Sequence, residues 1–320
     1  MWKKILPLLI IFAAIILFVL LKPEEALTPE EDVEIIDSAE QKVTATVGVS
    51  LLTRTHPFYQ EMERGMTEEA KKHSIELLIS AGEFDVARQK DQIADYIVKN
   101  VDAIVVCPCD SRSIGTSIAE ANRAGIPVIT ADIACLAEGA EVLSHVASDN
   151  VAGGKVAASA VVEAINGSGS VAIIDHPEVE SVIQRVKGFE EEIAKYEEIK
   201  IVAKLSGKGV KSEAFKTALD IIQAHPDLDA FFCINDDTAL GALAAVEKTG
   251  KQGKIKIVGF DAVPEARKAI EEGKIYADVI QHPYIIGQKT IETIVKYMSG
   301  EGISPEVLIP CGLYKKIPDE

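Results

Sequence analysis

Several polar side chains in this chain follow directly on apolar, β-branched runs. Asp110 comes after "DAIVVCPC" (102–109), and Asp132 comes after "IPVITA" (126–131). Asn235 and Asp236 follow "DAFFCI" (229–234), and Asp261 follows "IKIVGF" (255–260). Two rings, Phe58 and Tyr59, stand in "HPFY" just after the first such run. Carboxylates and amides accept hydrogen bonds from paired hydroxyls, and ring faces cover apolar C–H surface. With few cations among them, these groups suit a neutral, hydroxyl-rich molecule. They form no nucleophile–base pair in sequence, which argues against an enzyme. Each also has a plainer reading. Asp132, Asn235 and Asp261 sit where turns and helix caps occur, Phe58 suits a helix-start core position, and Tyr59 suits partial burial with a wet hydroxyl.

The stretch "HVASDNVAGGK" (145–155) raises a separate question, because Gly-rich turns from strand to helix often cradle phosphate. No Lys-Ser/Thr pair or G-x-G-x-x-G accompanies it. The other reading is a connection that carries the chain from one domain to another.

The elements that must position these groups are legible from period. "TVGVSLL" (46–52) precedes a helix opened by Pro57, with Phe58, Met62, Met66 and Ala70 on related faces. Strand-like runs at 75–80, 102–107 and 126–131 alternate with helical patterns near 86–99 and 111–124. The second half repeats the rhythm, with strands at 170–175, 200–206, 229–234 and 255–260. Its helices fall near 180–196, 212–224, 237–249 and 263–272. Such alternation predicts parallel sheets covered on both faces. "VDAIVVCPCDSRSIG" (101–115) and "LDAFFCINDDTALGA" (228–242) share one order, and each half then offers a strand ending in Asp, at Asp132 and Asp261. The expected fold is therefore α/β, with two similar lobes, each a doubly wound parallel sheet flanked by helices. Ligands of open parallel sheets sit outside the carboxyl ends of the strands, so the polar groups above would face one another across a cleft.

A net charge of −17 repels phosphate backbones and excludes nucleic acid as a partner. At the N-terminus, Lys3-Lys4 precede the unbroken apolar run Ile5–Leu21. The run is short for a membrane span and long for a signal-peptide core, and Leu21–Leu27 offers no convincing small-x-small cleavage site. No Cys precedes Cys107 to carry a lipid. An uncleaved signal anchor over residues 1–22 is favoured over a cleaved signal peptide, with the bulk of the chain outside the cytoplasm. Residues 23–42 read as an acidic linker. The five cysteines (107, 109, 135, 233, 311) are an odd number that cannot complete a disulfide framework, and Cys107-Pro-Cys109 lacks the second pair a zinc site needs. Most read as small buried apolar residues, with a Cys109–Cys135 bridge, or a metal site including His56, as alternatives. No cofactor is expected.

"HPFYQEMERG", "SHVASDNVAGGK", "AHPDLDAFFCINDDTALGAL", "IVGFDAVPEA" and "DVIQHPYIIGQ" together resemble the ribose-binding-protein group of periplasmic sugar-binding proteins, in order, over about residues 43–310. The resemblance implies two lobes joined by three hinge crossings, near 146–150, 278–282 and 307–311. The N-terminal lobe would comprise 43–147 plus 279–308 and the C-terminal lobe 148–278, with 309–320 as a C-terminal tail and last hinge region. "HVASDN" then matches a hinge crossing, with Asp149 or Asn150 capping the next helix and Gly153-Gly154 allowing close packing against the sheet.

Six residues match the group's sugar-binding positions in kind: Phe58 and Tyr59 as aromatics, Asp132 and Asp261 as hydroxyl-binding carboxylates, and Asn235 and Gln281 as amides. His56 and Cys107 stand where the group often has Asn, and Ile133 stands where it has Arg. Ile183 takes the usual position of a second sugar-binding Arg, with Arg185 as a substitute two residues on. The group's second-lobe aromatic falls near Gly209 in "SGKGVK" (206–211). These departures predict weak binding of D-ribose and a ligand with one less polar face, such as a deoxysugar or a cyclitol. The resemblance implies an extracytoplasmic solute-binding protein that hands a small neutral sugar or polyol-like ligand to an ABC transporter permease. A ligand sensor reporting to a membrane signalling partner is the alternative.

Overall fold

The computed structural model describes residues 43–316. The expected anchor (1–22) and acidic linker (23–42) lie outside the described residues. Among the described residues no helix is long and apolar enough to cross a membrane.

Two six-stranded sheets carry the fold. The first contains β1 (Ala45–Leu51), β2 (Ile75–Ala81), β3 (Ala103–Val106), β4 (Val128–Ala131), β5 (Ser144–Ser148) and β11 (Glu306–Ile309). Its order is β11-β5-β4-β3-β1-β2, parallel throughout. The second contains β6 (Gly169–Asp175), β7 (Ile199–Ser206), β8 (Ala230–Cys233), β9 (Lys256–Asp261), β10 (Ala277–Ile280) and β12 (Gly312–Lys315). Its order is β12-β10-β9-β8-β6-β7, and only β12 runs antiparallel, against β10. The central strands are buried on both faces, as in Ala103–Val106 and Ala230–Cys233, which is why they read as continuous apolar runs.

Helices α1 (Pro57–Lys72), α2 (Val86–Val98), α3 (Gly115–Arg123) and α9 (Pro283–Met298) flank the first sheet. Helices α4 (Asn150–Ala164), α5 (Glu180–Ile193), α6 (Lys211–Ala224), α7 (Asp236–Lys248) and α8 (Pro264–Glu271) flank the second. Helix α3 starts later than its apolar pattern suggests. The Asp110 carboxylate accepts from the amides of Arg112 and Ser113 at 3.0 and 2.6 Å and folds residues 110–113 into a turn first.

The chain passes between the sheets three times: from β5 to α4, from β10 to α9 and from β11 to β12. Ser148 still pairs with Ile309 in the first sheet, and Val279 pairs with Leu313 in the second. Residues 279–280 and 312–315 thus belong to the second sheet, because the antiparallel pairing of β12 completes its edge.

The glycine-rich stretch is resolved by its neighbours. The Asp149 carboxylate caps α4, accepting from Ala152 N–H at 2.9 Å. Gly153 faces the Phe260 ring of β9, whereas a Cβ on Gly154 would run into the Arg185 carbonyl of α5. Only one of the two glycines therefore packs on the sheet. The other lets two helix backbones approach, with Gly188 meeting Val151 in the same way. Among the described residues all five cysteines are free, so the Cys109–Cys135 bridge is not formed. No cluster of three or more metal-ligating side chains is assembled among those residues either.

Candidate ligand-binding site

The carboxyl ends of the two sheets face each other across a cavity of about 50 Å³. The first lobe contributes His56, Phe58 and Tyr59 from the start of α1, and Asp132 and Ile133 from the end of β4. The second contributes Arg185 from α5, Asn235 from the start of α7 and Asp261 from the end of β9. Gln281 lies in the second crossing.

The two carboxylates occupy matching strand ends in strained backbone. Asp132 has φ +65° and Asp261 has φ +110°, a region that few side chains adopt. Tyr59 donates its hydroxyl to Asp132 Oδ2 at 2.8 Å, and both residues are buried. Asp132 Oδ1 has no partner. Burial pushes the Asp132 carboxyl up to about 6, against the opposing pull of the Arg185 charge. Burial also raises Asp261, offset by Arg185 and His56. Gln281 Nε2 donates to Asp261 Oδ1 at 2.5 Å, so the crossing segment orients the second carboxylate, while Gln281 Oε1 stays unpartnered.

Arg185 is the central cation, buried with its guanidinium 4.0 Å from the Phe260 ring centroid. Its Nε donates to Asn150 Oδ1 at 2.9 Å, its Nη1 donates to the Ile234 carbonyl at 2.7 Å, and Nη1 stands 3.7 Å from Asp261 Oδ1. These bonds leave Nη2 for the cavity. His56 caps α1 through Nδ1, which accepts from Phe58 N–H at 3.2 Å. In the neutral ring the hydrogen therefore sits on Nε2. That atom is unpartnered, 3.9 Å from Asp261 Oδ2 in the opposite lobe.

Four residues named from the sequence at the cleft lie elsewhere. Cys107 does not line the cavity: it is fully buried at the end of β3, where burial raises its thiol. Ile183 is 38% exposed and lies outside the cavity, and Arg185 holds the cation position. The buried stripe of α5 runs Val182, Arg185, Val186, Phe189, Ile193, and Ile183 falls off it. Asp110 and Asp236 also point elsewhere. Asp110 is spent on its own turn, and Asp236 is fully buried, accepting from Val263 N–H at 2.6 Å. Asn235 reaches the cavity, but its amide mainly holds structure. Oδ1 accepts from Thr238 N–H at 2.9 Å to cap α7, and Nδ2 donates to the Gly209 carbonyl at 3.0 Å.

Other lining residues escaped sequence reasoning. His176 and Thr53 follow β6 and β1, so the strand-end rule that found Asp132 would have reached them. Phe84, at φ +63°, follows β2. Val179, Ser181 and Val182 come from the start of α5, and Gly209, already named from the sequence, lines the wall beside the His176 ring. Ile133 is buried there as an apolar patch.

Two lobes built on mostly parallel sheets, joined by three crossings and shut over a small cavity with facing polar groups, define a two-lobed binding protein. The chain belongs to the periplasmic binding protein domain family, matched over residues 47–302. It is 33% identical over 269 residues to the ribose import binding protein RbsB of Bacillus subtilis (strain 168), covering 84% of this chain and 86% of that protein. Among solved structures it is similar to an ABC transporter periplasmic solute binding protein from Actinobacillus succinogenes 130z with bound D-allose. That match has a TM-score of 0.79 and 30% identity, and covers 85% of this chain and 97% of that one. It is also similar to the Caulobacter myo-inositol binding protein bound to myo-inositol, with a TM-score of 0.79, 29% identity and coverage of 85% and 94%. These relatives are binding proteins rather than enzymes.

Proposed function

We propose that this chain is an extracytoplasmic solute-binding protein that captures one sugar or polyol-like molecule between its lobes and delivers it to an ABC transporter permease. One observation carries the reading: three buried, unpartnered polar atoms, His56 Nε2, Asp132 Oδ1 and Gln281 Oε1, all belong to residues lining one cavity. Buried polar groups are otherwise almost always paired, and ring hydroxyls would pair all three. Asp132 and Asp261 accept hydroxyl hydrogens from opposite lobes, while His56 Nε2 and Arg185 Nη2 donate. Phe58, Ile133, Val179 and Val182 cover the C–H faces. Tyr59 acts through Asp132 rather than as a stacking ring, and Asn235 shapes the wall. Buried Ile133 gives the cavity an apolar side where the resemblance has Arg, which disfavours D-ribose, and D-allose and myo-inositol, bound by similar proteins, are the candidates to test.

Binding to both lobes favours the closed form by differential affinity. Thermal-shift screening of the full chain against D-allose, myo-inositol and D-ribose tests this, with small-angle scattering at saturation. A raised melting temperature together with compaction is expected, since a ligand at a hundred times its Kd adds about 2.7 kcal/mol. A melting shift without compaction would remove the closure mechanism. The apolar run Ile5–Leu21 behind Lys3-Lys4 supports tethering to the membrane face. Retention in the membrane fraction after a high-salt wash is the expected result, and a mature N-terminus near residue 27 would contradict it.

A further inference from the structure

Helix α5 begins without a cap of its own. Its N-cap position is Val179, which makes no side-chain bond to the helix. The first amides of any helix lack intrahelical acceptors, so this end needs a partner. Glu180 N–H finds one in the opposite lobe, donating to Ser111 Oγ at 2.9 Å. Ser111 returns the contact, its own N–H donating to the Glu178 carbonyl at 3.1 Å. Ser111 follows β3 of the first sheet and α5 follows β6 of the second, so both bonds cross between the lobes. Ser111 is 1% exposed and Glu180 9%.

We propose that Ser111 is a closure latch, a helix cap supplied in trans that forms when the lobes meet and sets how long the ligand stays. It is a positioning residue, because neither Ser111 nor Glu180 lines the cavity, whereas Val179, Ser181 and Val182 on either side of Glu180 do. Ser111 is held ready by its own lobe. Its carbonyl accepts from Leu136 N–H at 2.7 Å, and the Asp110 carboxylate sets the turn that follows. In an open form, water takes both bonds and folding loses nothing. In the closed form the Glu180 amide is buried, and without the serine hydroxyl it has no acceptor. The cost therefore falls on the closed state alone. This inference rests on the reading above that the lobes close around a ligand.

The test is stopped-flow binding by the full chain and its Ser111→Ala and Ser111→Thr variants, using whichever of D-allose, myo-inositol and D-ribose binds the unaltered chain tightest. Ser111→Ala should weaken binding about five- to thirtyfold, nearly all through faster dissociation. Its ligand-free melting temperature should stay within about 1 °C of the unaltered chain, since one bond in water changes little. Ser111→Thr keeps the hydroxyl and should restore slow dissociation. Unchanged dissociation in Ser111→Ala would overturn the latch and leave the binding function standing, as would a threonine variant as fast as alanine. An equal loss of ligand-free stability would make the serine merely structural. An unaltered chain that binds none of the three ligands would overturn the latch together with the reading beneath it.

Discussion

Tyr59 and Asp132 are joined by a buried hydrogen bond of 2.8 Å, from the tyrosine hydroxyl to carboxylate Oδ2. The contact ties the first turn of α1 to the end of β4 and fixes which oxygen faces the cavity: Oδ2 is taken, and Oδ1 is free. Tyr59→Phe should therefore weaken ligand binding by roughly two- to tenfold, the worth of one net hydrogen bond, while the fold survives. Calorimetry on the variant checks this, and unchanged affinity would show that Asp132 needs no orienting partner.

The same pair gives binding a pH dependence. Burial holds the Asp132 carboxyl up at about 6, and a ligand hydroxyl donating to the carboxylate favours its charged form. Affinity should fall as pH drops through about 6, by about tenfold between pH 7.5 and 5. The ligand-free chain has the opposite sign. A carboxyl raised above its ordinary value near 4 contributes stability that is present below that value and lost as pH rises through about 6. Titrations at several pH values, with melting curves of the free chain, test both slopes. Affinity independent of pH would exclude Asp132 as an ionised acceptor.

A second acid pair lies outside the cavity. Asp278 of β10 and Asp236 of α7 are fully buried side by side, and burial raises both, Asp278 to about 7. As carboxylates, Asp278 Oδ1 and Oδ2 and Asp236 Oδ1 would lack partners, whereas one shared proton gives them a bond. The stability this arrangement contributes is present below about 4 and lost as pH rises through about 7. Asp278→Asn supplies a donor that never ionises. It should raise the melting temperature at pH 8, by about 2–4 °C for each 1 kcal/mol regained, and flatten the dependence between pH 5 and 8. A lower melting temperature at pH 8 would contradict the shared proton.

The strand-end carboxylates were legible because parallel sheets place ligands at one edge, a rule that needs only strand–helix alternation. That rule found Asp132 and Asp261 and overreached at Asp110 and Asp236, since it fixes the edge but not the direction of a side chain. Asp236 and Asp237 are neighbours about 100° apart on α7, and only Asp237 lines the cavity. Arg185 was readable from the stripe Val182, Val186, Phe189, yet matching motif positions pointed two residues earlier, to Ile183. The Ser111–Glu180 bond was not readable at all, because it depends on how closely two lobes approach.

The central claim is that one hydroxylated ring is held between Asp132 and Asp261, and isothermal titration of the full chain with D-allose and myo-inositol tests it most directly. The unaltered chain should bind at least one of them, and more tightly than D-ribose. Asp132→Ala and Asp261→Ala should each weaken that binding about ten- to a hundredfold, as loss of charge-assisted bonds worth roughly 1.5–3 kcal/mol requires. Full affinity in Asp261→Ala, or tighter binding of D-ribose than of both D-allose and myo-inositol, would contradict the account.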